Sequence, residues 1–208
     1  MNTIFAFDLD GTITKVETLP SLAAAAGCRE EIAALTKLTV AGKIPFAESF
    51  AQRVARLSAL PLNEAQRITA NVPLNADIAD FICRHRENCA IVTGNIDLWI
   101  APLIEKLGCR AFSSVGFIDE NGRMHLKSII DKGAVIKNLR QKAQIIAIGD
   151  GAGDLAMLKT ADFAVAFAGV HAPPPALVDV ADVLVHSGKE LCALLAKFGK
   201  NSACQPSF

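Results

Sequence analysis

The chain lacks an excess of charge of either sign. It has 21 lysines and arginines against 21 aspartates and glutamates in 208 residues, and basic residues form no run. A neutral protein without a basic run has no strong field to hold the phosphates of a nucleic acid or an anionic membrane surface. We therefore expect no nucleic-acid partner and no membrane partner.

Long hydrophobic runs and paired cysteines are also missing. No stretch reaches the roughly 18 apolar residues that a membrane-spanning helix needs, and the first eight residues lack the basic segment that opens a secretory leader. No CxxC pair occurs, which favours buried thiols of a reducing compartment over disulfides or a zinc site. We therefore expect a cytoplasmic protein. The six cysteines are Cys28, Cys83, Cys89, Cys109, Cys192 and Cys204.

What the sequence does contain is an alternation of short apolar runs and amphipathic segments. Continuous apolar runs indicate strands that are buried on both faces, as parallel sheets require. The alternation therefore predicts an α/β fold, a doubly wound parallel sheet. The runs are 3–9, 89–93, 144–148, 163–167 and 183–186, and the predicted helices are 77–87, 97–107, 133–142, 154–160 and 189–198.

The segment from about residue 17 to residue 72 departs from this alternation, because its apolar residues recur at helical spacing without a convincing strand. We expect a small helical cap domain, residues 16–73, inserted after the first strand into a core domain formed by residues 1–15 and 74–208. Asn63 is typical of a helix N-cap with Gln66 three residues later. Asn121-Gly122, between 115–119 and 123–127, predicts a β-hairpin.

Two acidic clusters follow predicted strands. Asp8 and Asp10 come after the first run, and Asp150 and Asp154 come after the run 144–148. Side chains at the carboxyl ends of neighbouring parallel strands meet in the crevice where α/β sheets bind ligands. Four converging carboxylates would repel one another, and Mg²⁺ prefers such oxygen ligands. The competing interpretation is that these aspartates merely form turns and caps.

The same segments resemble the motifs of a known family. The segment 8–12, DLDGT in one-letter code, resembles the first motif of the haloacid dehalogenase superfamily of phosphohydrolases. Thr93-Gly94 resembles the second motif, Lys132 the third, and the segment 149–154, GDGAGD, the fourth. The four occur in the family's order and extend over the whole chain. The first and fourth motifs are the specific ones.

The resemblance implies a phosphoryl-transfer site. Asp8 would be the nucleophile that forms an aspartyl-phosphate, and Asp10 would act as general acid and then as general base. Lys132 would orient Asp8 and add positive charge. Thr93 and Gly94 would bind the phosphate oxygens. The implied ligands of Mg²⁺ are Asp8, Asp10 through its backbone carbonyl, Asp150 and Asp154.

The helical insertion resembles the cap of the phosphoserine phosphatase branch. In that branch an acid seven residues after the second aspartate binds the substrate amine, and a cap arginine binds its carboxylate. Glu17 and Arg53 stand at these positions, and Phe46 matches an apolar lid residue. A carboxylate and a guanidinium together select an amino-acid zwitterion. The expected substrate is therefore O-phospho-L-serine. We also expect the protein to be a monomer or a homodimer.

Two departures keep alternatives open. Gly153 stands where relatives of this branch usually have Asn, and Asn95 stands where they tend to have Gly. These departures leave a phosphatase or phosphotransferase for another small phosphorylated metabolite as the alternative. The sequence argues against two further hypotheses. A signalling receiver domain would be shorter and would lack the inserted cap, and a metal-free dehalogenase would have no use for Asp10. The four histidines lack metal-ligand spacing, so we expect them in surface or packing positions; they are His85, His125, His171 and His186.

Overall fold

A computed structural model describes residues 2–40 and 43–199. Its strands form one sheet in the order β4-β3-β2-β1-β5-β6-β7. The strands are β1 (Thr3–Phe7), β2 (Cys89–Ile96), β3 (Arg110–Ile118), β4 (Met124–Ser128), β5 (Gln144–Gly149), β6 (Phe163–Phe167) and β7 (Val183–Val185). The helices are α1 (Thr18–Ala25), α2 (Arg29–Val40), α3 (Phe46–Leu57), α4 (Leu62–Ala70), α5 (Ala76–Arg84), α6 (Asp97–Leu107), α7 (Lys132–Arg140), α8 (Leu155–Thr160), α9 (Pro175–Val178) and α10 (Gly188–Gly199).

The sheet is parallel except for its β3–β4 edge. β1 lies at its centre and pairs with β2 on one side and β5 on the other, so the strand order reverses direction beside β1. Ligands of open α/β sheets bind at such a reversal point, beyond the carboxyl ends of the strands. The predicted doubly wound sheet is confirmed, and so is the hairpin, which joins β3 to β4 in antiparallel pairing.

Alternating side chains of the strands build an apolar layer on each face of the sheet. Phe5 and Phe7 belong to one buried cluster, whereas Ile4 and Ala6 of the same strand belong to the other. The first cluster includes residues of α5, α6 and α10, and the second includes residues of α7 and α8. Burial on both faces explains why these strands are continuous apolar runs in the sequence.

Helices α1 to α4 lie between β1 and α5 in the chain. Their buried residues, such as Leu22, Phe50 and Val54, join the same apolar cluster as Phe5 and Phe7 of the sheet. α4 also packs against α6. The four helices therefore pack on the side of the sheet that carries Phe5 and Phe7, and the division into cap and core remains a prediction.

Some boundaries differ from the sequence prediction. α4 begins at Leu62 after Pro61, without a side-chain cap, and Asn63 Oδ1 instead accepts a hydrogen bond from Glu64 N, so the predicted Asn63 cap is wrong. Cys89 and Cys109 are buried as expected, whereas Cys83 is exposed. Cys204 lies outside the described residues. Within the described part of the chain, no helix combines the length and apolarity needed to cross a bilayer.

Candidate active site

The site lies where β1 and β5 end. Asp8 directly follows β1, and its backbone N–H donates to the carbonyl of Ile148 at 2.8 Å, which continues the pairing of the two strands. Gly11 has φ of 73°, a left-handed conformation that lets the chain turn sharply after β1. Asp150 follows β5 on the neighbouring strand. The structure therefore brings the two acidic clusters together, as their positions after neighbouring predicted strands indicate.

Three buried carboxylates meet at this point. Asp8, Asp150 and Asp154 each offer an oxygen, and these oxygens lie within 4.8 Å of one another. Lys132, the first residue of α7, joins two of them: its Nζ donates to Asp8 Oδ1 at 2.5 Å and to Asp154 Oδ1 at 2.6 Å. The helix start is fixed by Asp131, whose side chain accepts a hydrogen bond from Ala134 N.

Burial and mutual repulsion set the protonation of this group. Burial and the charge of Asp154 raise the pKa of Asp8 to about 7, against the opposing effect of Lys132. Burial and the charge of Asp8 raise the pKa of Asp150 to about 8. Burial disfavours the charge of Lys132, but the attraction of Asp154 and Asp8 outweighs it and raises the lysine pKa. The cluster is thus short of positive charge.

The cluster fits a divalent cation. Lys132 balances one of the three carboxylate charges, and a hard dication coordinated by oxygens would offset the rest. The ligand oxygens are already oriented: the Thr12 hydroxyl donates to Asp150 Oδ1 at 2.7 Å. Asp154 Oδ2 accepts from the backbone N–H groups of Asp150 and Gly151, both at 3.1 Å. Such prior orientation favours binding of a metal ion.

Asp10 has different surroundings from Asp8. Its Oδ1 accepts from the backbone N–H of Thr18 at 3.1 Å, and its Oδ2 accepts from Asn95 Nδ2 at 2.7 Å. Burial, then the charges of Glu17 and Asp8, raise the pKa of Asp10 to about 8. Two neighbouring carboxyl groups are therefore held by different partners, Asp8 by an ammonium and Asp10 by neutral donors.

The remaining predicted residues surround one cavity of about 170 Å³ with these carboxylates. Arg53, on α3, places its guanidinium 5.8 Å from the ring centre of Phe46 and 5.7 Å from that of Phe50. Burial lowers the pKa of Arg53. The predicted residues that line the cavity are Asp8, Asp10, Glu17, Phe46, Arg53, Thr93, Gly94, Lys132, Asp150 and Asp154. The structure brings all ten together.

Sequence reasoning missed several partners at this site. The sequence assigns no role to Thr12 or Thr18, and it predicts no contact for Asn95. His171 lies in an exposed position, in agreement with the predicted surface position, but its Nε2 also lies 2.7 Å from Asp150 Oδ2, a contact that the sequence does not predict. The position of His171 in the sequence could have indicated this contact in part. His171 follows β6, the parallel neighbour of β5, and parallel strands end at the same edge of the sheet.

Comparisons with known proteins agree with this geometry. The phosphoserine phosphatase SerB2 of Mycobacterium tuberculosis is 32% identical over 86% of this chain, which spans only 46% of that relative's length. The phosphoserine phosphatase of Methanocaldococcus jannaschii is 27% identical over 88% of this chain and 91% of its own. A solved phospho-aspartyl intermediate analogue of phosphoserine phosphatase superposes with a TM-score of 0.76 at 25% identity, covering 94% of this chain and 98% of its own.

A family model provides the assignment. The model for haloacid dehalogenase-like hydrolases matches residues 5–159, which include Asp8, Asp10, Lys132, Asp150 and Asp154. The match begins within β1 and ends in α8, so it contains the helical insertion and both acidic clusters. The chain therefore belongs to the haloacid dehalogenase-like hydrolase family.

Proposed function

We propose that this protein is a Mg²⁺-dependent phosphomonoesterase that acts through an aspartyl-phosphate, with O-phospho-L-serine as its substrate. The observation that carries the proposal is the contrast between Asp8 and Asp10. Both face one cavity, but Asp8 is paired with Lys132 at 2.5 Å while Asp10 is held by Thr18 and Asn95. Phosphomonoester hydrolysis needs such a pair, a nucleophile and a separate proton donor.

The reaction begins at Asp8. A carboxylate oxygen of Asp8 attacks the phosphorus atom, forming a new bond to phosphorus while the bond to the ester oxygen breaks. Lys132 keeps its charge and holds the Asp8 carboxylate in place. The Thr93 hydroxyl and the backbone N–H of Gly94 line the same cavity and would donate to the phosphate oxygens.

Asp10 acts first as the proton donor and then as the proton acceptor. With its pKa raised to about 8, Asp10 carries a proton at neutral pH and can donate it to the departing ester oxygen. The resulting Asp10 carboxylate then takes a proton from a water molecule that attacks the phosphorus. The bond between Asp8 and phosphorus breaks, which releases inorganic phosphate and restores both aspartates.

The metal would be held by Asp8, Asp150, Asp154 and the backbone carbonyl of Asp10. Three of these residues bring their carboxylate oxygens within 4.8 Å of one another. When bound, Mg²⁺ offsets the charge of the carboxylates and of the substrate phosphate, so that two anions can approach each other. Lys132 supports the same site by bridging Asp8 and Asp154.

The substrate proposal rests on two charged residues that line the same cavity as the carboxylates. Glu17 suits an ammonium group and Arg53 suits a carboxylate, and both line the cavity with Phe46. The volume of about 170 Å³ is below that of sites for drug-sized ligands and suits a small metabolite. The names of the relatives reported above support phosphoserine. Residues 16–73 would act as a cap that closes over it.

A second candidate is a phosphate ester with a larger, acidic leaving group. A cavity of about 810 Å³ adjoins the site and shares Glu17, Leu19 and Arg53 with it. Its wall is largely apolar but includes Arg29 and Lys37. That space exceeds what serine needs, so longer phosphate esters with a terminal carboxylate belong in any substrate test.

The test is phosphate release from a panel of phosphorylated metabolites with Mg²⁺ present. We expect O-phosphoserine to have the highest kcat/KM, and Asp8→Asn to abolish turnover while the protein remains folded. Rapid hydrolysis of another phosphate with poor hydrolysis of phosphoserine would contradict the substrate assignment. An active Asp8→Asn protein would contradict the mechanism.

A further inference from the structure

Asn95 has a buried side chain near the end of β2 and contacts Asp10, the general acid of the proposed reaction. Its exposed fraction is 2%, and its Nδ2 donates to Asp10 Oδ2 at 2.7 Å. Asn95 also lines the site cavity. A buried amide that donates to a reactive carboxyl group restricts how that group can turn, because the last torsion of an aspartate is otherwise broad.

Thr18 completes the arrangement from a different element. It is the first residue of α1 and fully buried. Its backbone N–H donates to Asp10 Oδ1 at 3.1 Å, so both oxygens of Asp10 have a donor. Its hydroxyl lies 3.0 Å from Asp10 Oδ2 and 3.0 Å from Asn95 Oδ1. The hydroxyl thereby links the two side chains, although its one hydrogen serves one acceptor at a time.

We propose that Asn95 is a positioning residue, which works with Thr18 to hold the Asp10 carboxyl group towards the ester oxygen of the substrate. The inference rests on the proposed function, in which Asp10 is the general acid. The donors come from β2 and α1, while Asp10 lies in the turn after β1, so two separate segments hold the carboxyl group of a third.

Positioning of an acid can be separated from stability through the leaving group. An alkoxide such as that of serine departs poorly without a proton, whereas p-nitrophenolate departs readily without one. Loss of acid orientation therefore slows alkyl esters selectively. Loss of fold or of phosphate binding slows both esters alike.

The experiment compares kcat/KM for O-phosphoserine and p-nitrophenyl phosphate, because this constant ends with departure of the leaving group and excludes the later step in which Asp10 is the general base. We expect Asn95→Ala to lower kcat/KM for O-phosphoserine by about 10- to 100-fold, a part of what general acid catalysis contributes. The kcat/KM for p-nitrophenyl phosphate should change little. Thr18→Val, which removes the hydroxyl from the other element, should give the same selectivity in weaker form, and Thr18→Ser should keep the wild-type kcat/KM for both esters.

Asn88→Ala is the matched control. Asn88 precedes β2 at the opposite end of the strand, where its Nδ2 donates to the carbonyl of Thr3 at 2.9 Å. The control should keep both activities. Equal losses of kcat/KM on both esters in Asn95→Ala, or no loss on either, would overturn the inference while leaving the proposed function intact. Wild-type protein that releases phosphate from neither ester would overturn both.

Discussion

At the scale of single residues, Gly153 offers the simplest test of a departure from related proteins. A Cβ added at this position meets no atom within 4 Å, and Gly153 lines the site cavity. We expect Gly153→Asn to fold normally and to lower the KM for O-phosphoserine by roughly 10-fold, because an added amide can donate to the phosphate anion. Steady-state kinetics and a thermal unfolding curve check both parts.

Gly153→Ala separates the amide from the added carbon. It supplies the Cβ without a donor, so its KM should stay at the wild-type value. A lower KM in Gly153→Ala, or an unchanged KM in Gly153→Asn, would show that the amide has no partner in the site.

The residues that follow strands were predictable, but their partners were not. The position of Asp8 and Asp150 after apolar runs was enough to place them together, since parallel strands end at one edge of the sheet. The bond from Asn95 to Asp10 joins residues 85 positions apart and depends on how β2, α1 and the turn after β1 are packed. Spacing in the sequence carries no such information.

At the scale of elements, the turn after β1 is constrained by space as well as by its backbone. Gly11 has φ of 73°, and an added Cβ would lie 2.9 Å from Asp150 Cγ and 3.0 Å from His171 Nε2. We expect Gly11→Ala to displace the Asp150 carboxylate and weaken Mg²⁺ binding. The left-handed conformation adds a loss of unfolding free energy of about 1 to 2 kcal/mol. Magnesium titration of activity and chemical unfolding measure the two effects.

Gly122→Ala provides the comparison for this turn. Gly122 has φ of 77° in the β3–β4 hairpin, and an added Cβ there meets no atom within 4 Å. The variant should lose similar stability but keep its magnesium dependence. If Gly11→Ala also kept the wild-type magnesium dependence, the close approach to Asp150 would have no functional consequence.

Helix α3 carries the proposed carboxylate receptor. We expect Arg53→Ala to raise the KM for O-phosphoserine by roughly 10-fold or more, because a charged hydrogen bond is lost. The KM for phosphoethanolamine, which lacks the carboxylate, should rise far less. Arg53→Lys should recover the KM for O-phosphoserine only in part, since an ammonium cannot bind a carboxylate with two parallel hydrogen bonds.

Arg56 supplies the control on the same helix. It is exposed and pairs with Glu31 on the protein surface at 2.6 Å, so Arg56→Ala should leave both KM values unchanged. Equal increases for phosphoserine and phosphoethanolamine in Arg53→Ala would remove Arg53 from substrate recognition and point to its packing on Phe46 and Phe50.

The elements themselves were largely readable from the sequence, and the failures have physical causes. The sequence predicts only the second half of β3, next to the hairpin signal of Asn121-Gly122, because the first half, residues 110–114, contains an arginine and two serines and lacks a continuous apolar run. The start of α4 was misplaced because Pro61, which fixes its own φ, can precede a helix without any side-chain cap.

At the scale of the whole molecule, the sheet concentrates negative charge that the fold must tolerate. The order of strands places β1 between β2 and β5, so the acids after β1 and β5 are buried side by side. The sequence predicted this arrangement because both clusters follow apolar runs. The apolar layers that bury the site supply much of the free energy of folding, and the same burial raises the cost of charging the carboxylates.

Stability of the metal-free protein should therefore depend on pH. The pKa values of Asp10 and Asp150 are raised to about 8 from 3.8, so the folded state binds protons more tightly than the unfolded state. The stabilising contribution of these groups is complete below about pH 4 and is lost as the pH rises towards about 8. Stabilisation of the folded state by magnesium should instead increase as the pH rises, because the carboxyl groups that bind the ion must be deprotonated.

We expect 10 mM MgCl₂, a roughly saturating concentration, to raise the Tm far more at pH 8 than at pH 5.5, relative to protein in EDTA. Thermal unfolding at the two pH values measures the difference. Asp150→Asn removes one carboxyl group whose pKa is raised and, with it, one proposed metal ligand. The variant should lose less stability between pH 5.5 and pH 8 in EDTA, and it should gain less from magnesium. Equal magnesium stabilisation at both pH values would mean that the ion binds elsewhere than at Asp8, Asp150 and Asp154.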